Sequence, residues 1–217
     1  MRFGALGTGV VGRTLASKLV SLGHEVMMGS RQAGNETAAA WAEENGQLAD
    51  EGSFAEAAGF GELIVNATAG SASLDALVSA EAENLTGKVL IDVANPLDFS
   101  AGMPPTLTVC NSDSLAEQIQ RTFPDTRVVK TLNTVNADVM VDPGVVPGSH
   151  TLFVAGDDRN AKATVKDILV EFGWPSADVM DLGGIQSARG MEMYLPLWLG
   201  LFAATGTSHL NLKVVRE

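Results

Sequence analysis

The first residues of this chain that could do chemistry are ones with no side chain. Gly7, Gly9 and Gly12 are spaced G-x-G-x-x-G directly after an apolar run, Arg2 to Leu6, and before a segment carrying Val11, Leu15, Leu19 and Leu22 at helical spacing. Strand, glycine turn and helix in this order suit a dinucleotide. The first glycine permits the tight turn, the second leaves no Cβ between backbone and pyrophosphate, and the third lets helix and strand approach closely, so the phosphates sit on the positive helix N-terminus. The spacing therefore predicts binding of NAD(H) or NADP(H).

The choice between the two falls at the end of the second strand, about 20 residues on, where an NAD site offers a carboxylate to the ribose. Here His24 to Met28 is followed by Gly29-Ser30-Arg31, with no acid. A hydroxyl beside a guanidinium can hold a 2′-phosphate by charge-assisted hydrogen bonds, and a carboxylate would repel it. NADP(H) is the expected cofactor, with Ser30 and Arg31 on its phosphate.

The elements that must position these groups alternate along the chain. Apolar runs at Gly61–Asn66, Lys88–Val93, Arg127–Leu132 and His150–Ala155 read as strands. Helical patterns fall between them at Glu36–Asn45, Ser73–Ala80, Asp113–Phe123 and from Asp157-Asp158 to Phe172. Short, continuously apolar strands between helices predict an α/β fold: a doubly wound, mainly parallel Rossmann-type sheet with helices on both faces. Residues 1–217 read as a single NADP-binding domain with a C-terminal extension from about 181. Ligands of such sheets lie at the carboxyl ends of the strands. That rule selects Thr68, Ala69, Asn95, Asn133, Thr134, Val135, Asn136 and Ala137 as further site residues: neutral hydrogen-bonders for ribose and carboxamide, with small apolar groups to face a nicotinamide.

The extension begins at Asp181-Leu182-Gly183-Gly184. It leads into Ser187–Phe202, read as one helix apolar on every face, which must be buried in the molecule or across a subunit contact. A homodimer through this helix is one expectation, and a cap on one end of the domain is the other. Arg189 and Glu192 are spaced to pair at i,i+3. Leu210–Arg216 reads as a final edge strand, and Cys110, the lone cysteine, as a small core or strand-end residue.

Composition narrows the partners. A net charge of −12 argues against nucleic acid or an anionic membrane. No apolar stretch reaches the roughly 20 residues of a membrane span. One cysteine excludes an intrachain disulfide and a multi-cysteine metal site, so a cytoplasmic protein without metal is expected.

Three stretches, GTGVVGRTLASKLVSLGHEVMMGSR, KTLNTVNADVM and DLGGIQSARGMEMYLPLWL, together resemble the coenzyme F420-dependent NADP oxidoreductases, in family order over nearly the whole chain. The resemblance implies hydride exchange between NADP(H) and a deazaflavin coenzyme of the F420 type. It implies Thr8, Val10 and Val11 around the pyrophosphate, Ser30 and Arg31 on the 2′-phosphate, and Thr134, Val135 and Ala137 beside the nicotinamide. Archaeal members carry a lysine shortly after the Ser-Arg pair, where this chain has Gly34-Asn35-Glu36, and a Pro-Trp pair where it has Ala69-Gly70. Two alternatives stay open. One is an NADPH-dependent reductase of a flavin, ferric chelate, imine or small carbonyl compound, with Tyr194 or Glu192 donating a proton. The other is a non-catalytic NADP(H)-sensing protein.

Overall fold

The computed structural model describes residues 1–217. In chain order, β1 (Arg2–Leu6) leads to α1 (Val10–Ser21), β2 (Glu25–Ser30), α2 (Glu36–Asn45), β3 (Ala49–Ser53), α3 (Phe54–Phe60) and β4 (Leu63–Asn66). Then come α4 (Ser73–Ser79), the single-turn α5 (Ala82–Leu85), β5 (Val89–Asp92) and a small antiparallel ribbon of β6 (Leu97–Asp98) and β7 (Thr106–Leu107). The rest is α6 (Leu115–Thr122), β8 (Arg127–Thr131), α7 (Ala137–Val141), β9 (Leu152–Ala155), α8 (Arg159–Glu171), β10 (Val179–Asp181), α9 (Ala188–Met193) and α10 (Leu195–Thr205).

Eight strands form one sheet in the order β10-β9-β8-β5-β4-β1-β2-β3. Every pairing is parallel except β8 with β9. The sheet is thus mainly parallel, as the alternation of elements predicts. Its period-2 side-chain pattern divides the core. Phe3, Ala5, Leu63, Val65, Val89 and Ile91 pack on one face against α1, α2, α7 and α8. Leu6, Ile64 and Leu90 pack on the other against α3, α4 and α6. Both faces are covered, which is why these strands read as continuous apolar runs.

Local chemistry sets the helix ends. Asn35, Ser53, Ser114 and Asp158 each cap a helix by accepting from the amide three residues on. Glu56 returns a bond to the Ser53 amide, completing a capping box. Gly46 ends α2 with φ 77°, where a side chain would be strained.

Several expectations need correction. Leu22 is the exposed C-cap of α1, and the buried stripe is Gly12, Leu15, Ala16 and Leu19. Asp158 alone caps α8; Asp157 accepts from the Ile185 amide instead. Leu210–Arg216 is not a strand. It runs beside Thr151 with one backbone bond, from the Thr151 amide to the Leu212 carbonyl, and that is too little for a ladder. Cys110 is exposed in the loop after β7. The apolar helix is two helices: Tyr194 separates α9 from α10, and Pro196 cannot supply the amide needed to carry one ladder through. No helix is long and apolar enough to cross a membrane.

Candidate active site

The carboxyl ends of β1, β2, β4, β5 and β8 open into a cleft with two adjoining chambers. The outer one, about 530 Å³, is walled by Gly7, Thr8, Gly9, Ser30, Arg31 and residues of α4. The inner one, about 240 Å³, is walled by Val11, Asn95, Asn133 to Ala137, Leu195 and Trp198. Ala67, Thr68 and Ala69 border both.

Of the three glycines of the turn, only Gly9 has room for a side chain. Gly7 has φ +117°, and a Cβ there would lie 2.6 Å from the Ala67 carbonyl oxygen. A Cβ on Gly12 would collide with the Gly7 carbonyl, so α1 reaches the strand only without one. At Gly9 a Cβ would meet nothing within 4 Å, leaving open cleft space beside the backbone of the kind a pyrophosphate needs. Of the residues implied around that group, Thr8 lines the outer chamber and Val11 the inner one, whereas Val10 is exposed on the first turn of α1 and borders neither.

Ser30 ends β2, buried, with its hydroxyl donating to the Gln32 carbonyl at 2.6 Å. Arg31 is the outer chamber's cation, exposed and engaged in no hydrogen bond or ion pair. A guanidinium held at a cleft rim without a carboxylate partner fits a phosphate ligand. Asp75, on α4, borders the same chamber and was not singled out from sequence, where it is one more acid in the first turn of a helix.

The neutral hydrogen-bonders are mostly occupied in fixing the cleft. Thr68 donates to Asn66 Oδ1 at 2.6 Å and meets the Ser73 hydroxyl at 2.8 Å. Asn95 and Asn133 clamp the ends of β5 and β8 together: Asn95 Nδ2 donates to the Asn133 carbonyl, and Asn133 Nδ2 to Asn95 Oδ1, each at 2.9 Å. Asn136 caps α7 and donates to Ser208. Two of the candidates keep a buried atom without a hydrogen-bond partner, Asn133 Oδ1 and Thr134 Oγ1. Both follow Leu132, whose φ of 62° closes a three-residue turn in which the Asn133 amide donates to the Thr131 carbonyl at 2.7 Å. A non-glycine residue in that conformation is strained, and such strain collects at functional sites.

Gly70 packs against Asn95, and a Cβ there would run into the Asn95 carbonyl. The loop therefore has no room for the large side chain that archaeal family members place at this point.

The C-terminal helices are tied down by charges beneath the cleft. Asn66, Asp92 and Lys130 stand in register on β4, β5 and β8. Asn66 Nδ2 donates to Asp92 Oδ1, and Lys130 Nζ lies against Asp92 Oδ2, both at 2.8 Å. Glu192 completes the set from α9: it is 2.9 Å from Lys130 Nζ and accepts from the Leu115 and Ala116 amides at 2.8 and 3.2 Å. Burial pushes its carboxyl up, against the pull of Lys130. The expected Arg189–Glu192 pair is therefore not made. Arg189 forks onto Glu117 at 2.8 and 2.6 Å and holds that carboxyl below the usual range. Glu192 borders neither chamber. The wall over the inner chamber comes from Leu195 and Trp198 on α10. These residues were missed as site residues because an all-apolar helix gives no sign of which face meets a ligand.

A family model described as NADP oxidoreductase, coenzyme F420-dependent, matches residues 2–96. The F420-dependent NADP reductase of Methanothermobacter marburgensis is 31% identical over 203 residues, covering 90% of this chain and 89% of that protein. This chain belongs to the coenzyme F420-dependent NADP oxidoreductase family. A crystal structure from Arthrobacter sp. FB24, provisionally assigned as an F420-dependent NADP-reductase, shares 52% identity over 99% of this chain and 98% of that one, with a TM-score of 0.93. Metalloreductase STEAP3 of Rattus norvegicus is 31% identical over 214 residues, and the chain spans 40% of that relative's length. The family is one of NADP-dependent oxidoreductases, which agrees with the glycine turn and the carboxylate-free end of β2.

Proposed function

We propose that this protein transfers a hydride between NADP(H) and a deazaflavin coenzyme of the F420 type, with residues 1–217 acting as one unit. The carrying observation is that no side chain lining the inner chamber is titratable. Reduction of a carbonyl or imine needs a positioned proton donor. Hydride transfer between two flat rings needs mainly stacking at near-contact distance, the chemistry being the cofactors' own and the balancing proton coming from solvent. Of the two proton donors considered, Glu192 lies with Lys130 outside the chamber, and Tyr194 does not line it either.

In this reading the outer chamber takes the pyrophosphate at Gly7, Thr8 and Gly9 and the 2′-phosphate at Arg31, with Ser30 turning its hydroxyl from Gln32. Asn133 Oδ1 accepts from the nicotinamide carboxamide and Thr134 Oγ1 donates to its carbonyl. Val135 and Ala137 give the ring an apolar wall. Arg31→Ala is expected to weaken NADPH binding by about 10- to 150-fold, the value of a charge-assisted hydrogen bond, and to leave NADH binding unchanged. Titration of both nucleotides checks this, and equal weakening would remove Arg31 from phosphate recognition.

Ala137 opens α7 on the chamber wall. Ala137→Leu is expected to depress turnover on the order of 100-fold while NADPH affinity stays within about threefold, because it displaces one ring from the other. The direct test of the proposal is an acceptor screen with NADPH. Reduction of a 5-deazaflavin ahead of flavins, ferric chelates, imines and carbonyl compounds supports it. Preference for an imine or carbonyl compound overturns the acceptor assignment, and binding without turnover favours the sensor.

We also propose a homodimer. Its support is α10, where Leu197 and Phe202 are exposed on a helix without a charged residue, in a single chain that leaves them uncovered. The free, exposed Cys110 suits a reducing, cytoplasmic setting.

A further inference from the structure

Lys130 lies near the end of β8 with no exposed surface, and its two carboxylate partners, Asp92 and Glu192, are buried as well. It lines neither chamber, so its ammonium does not meet a ligand there. A lysine carries three N–H donors, and here each has its own acceptor: Asp92 Oδ2 at 2.8 Å, Glu192 Oε1 at 2.9 Å and the Ala94 carbonyl. The acceptors sit on β5, on α9 and in the loop after β5.

Each of them leads to a wall of the inner chamber. Ala94 and its neighbour Asn95 line it directly. Asp92 accepts from Asn66 Nδ2, and Asn66 Oδ1 in turn accepts from the hydroxyl of Thr68, which borders both chambers. Glu192 follows Met191, whose carbonyl accepts from Asn133 Nδ2 at 3.1 Å. One ammonium thus joins the loops after β4, β5 and β8, while the glycine turn and Arg31 lie outside the set. A buried ion pair is a poor source of net stability, since desolvation offsets most of its attraction. What it does supply is a fixed geometry, because any shift of its elements leaves a buried charge unpaired.

We propose that Lys130 is a positioning residue for hydride transfer. By holding these three loops in one arrangement it fixes the nicotinamide half of the cleft, acting through Thr68, Asn95 and Asn133 rather than touching a ligand. This rests on the reading above, in which the inner chamber takes the nicotinamide ring.

The test compares Lys130→Met, which keeps the stem and removes the three donors, with Leu19→Ala, a core truncation in the last turn of α1, at the end away from the glycine turn, that also destabilises the fold. Glu192→Gln removes the charge on α9 alone and serves if Lys130→Met does not fold. Each protein is assayed well below its melting temperature for NADPH affinity, for the fluorescence that the reduced nicotinamide gains on binding, and for turnover with a 5-deazaflavin. Lys130→Met is expected to keep NADPH affinity within about threefold, to lose about half or more of the fluorescence gain, and to turn over about 10- to 100-fold more slowly, the scale of a displacement near 1 Å. Glu192→Gln should move the last two readouts by less, and Leu19→Ala should move neither. Parental fluorescence and turnover in whichever of the two charge variants folds overturn the proposal, as does an equal change in Leu19→Ala. A loss of NADPH affinity that matches the loss of turnover spreads the effect over the whole cleft and also overturns it. No fluorescence gain in the parent removes the nicotinamide from the inner chamber, and this role for Lys130 with it. If the parent reduces no deazaflavin while Lys130→Met still loses the fluorescence gain, the acceptor assignment falls and the positioning role stands.

Discussion

Gly9→Val is expected to fold as the parent does and to lose NADPH binding by at least about 100-fold, or about 2.7 kcal/mol. Gly9 is the N-cap of α1 with φ −70° and ψ 178°, extended backbone open to any residue, and a Cβ there touches nothing. The protein alone therefore tolerates the side chain, and the pyrophosphate does not. Gly12→Val is the contrasting control, since its Cβ strikes the Gly7 carbonyl and the damage falls on the fold. Thermal unfolding beside an NADPH titration separates the two. A folded Gly9→Val protein with parental affinity would remove the glycine turn from cofactor binding.

Lys130→Ala is expected to cost about 3–5 kcal/mol of stability, the range for breaking a buried ion pair from one side. For a chain of this size that is a fall in Tm of about 6–20 °C. Lys130 is completely buried, and its removal strands Asp92 and Glu192 without a cation. The sign with pH follows. Burial already pushes Glu192 up, and losing Lys130 pushes it further. The deficit should therefore be largest at neutral pH and shrink on acidification, as the stranded Glu192 takes up a proton. Melting curves across pH check both points. A pH-independent loss of about 1 kcal/mol would make Lys130 no more than a packing residue.

The contrast between these two positions reflects what the sequence carries in local form. The glycine turn, the apolar strands Leu63–Asn66 and Val89–Asp92, and α2 between Asn35 and Gly46 are legible because each is specified by neighbours a few residues apart. The edge strand Ala49–Ser53, sequence ADEGS, is not: it is half-exposed and polar, so it lacks the apolar run that marks its neighbours. Asp92 and Lys130 did leave a signal, single charges inside apolar strands, but their meeting with Glu192 is a matter of register and of where α9 docks. The candidate hydrogen-bonders divide for the same reason. Thr68 and Asn95 resemble Asn133 and Thr134 as loop residues, and only the fold reveals that the first pair have their side chains engaged while the second keep an unpaired atom. The left-handed Leu132 depends on tertiary contacts that no local pattern announces, whereas the break at Tyr194 has a local mark in Pro196.

The most direct test of the central claim follows the hydride itself. NADPH carrying deuterium at the transferable C4 position is mixed with the protein and an oxidised 5-deazaflavin in a single turnover, and the products are analysed by mass spectrometry and NMR. Because the receiving ring atom is carbon, transferred deuterium does not wash out into water. The account predicts one deuterium on the reduced deazaflavin, on a single face, and none in solvent. NADPH consumed with no deuterium on the deazaflavin, or deuterium distributed over both faces, would contradict direct transfer between stacked rings.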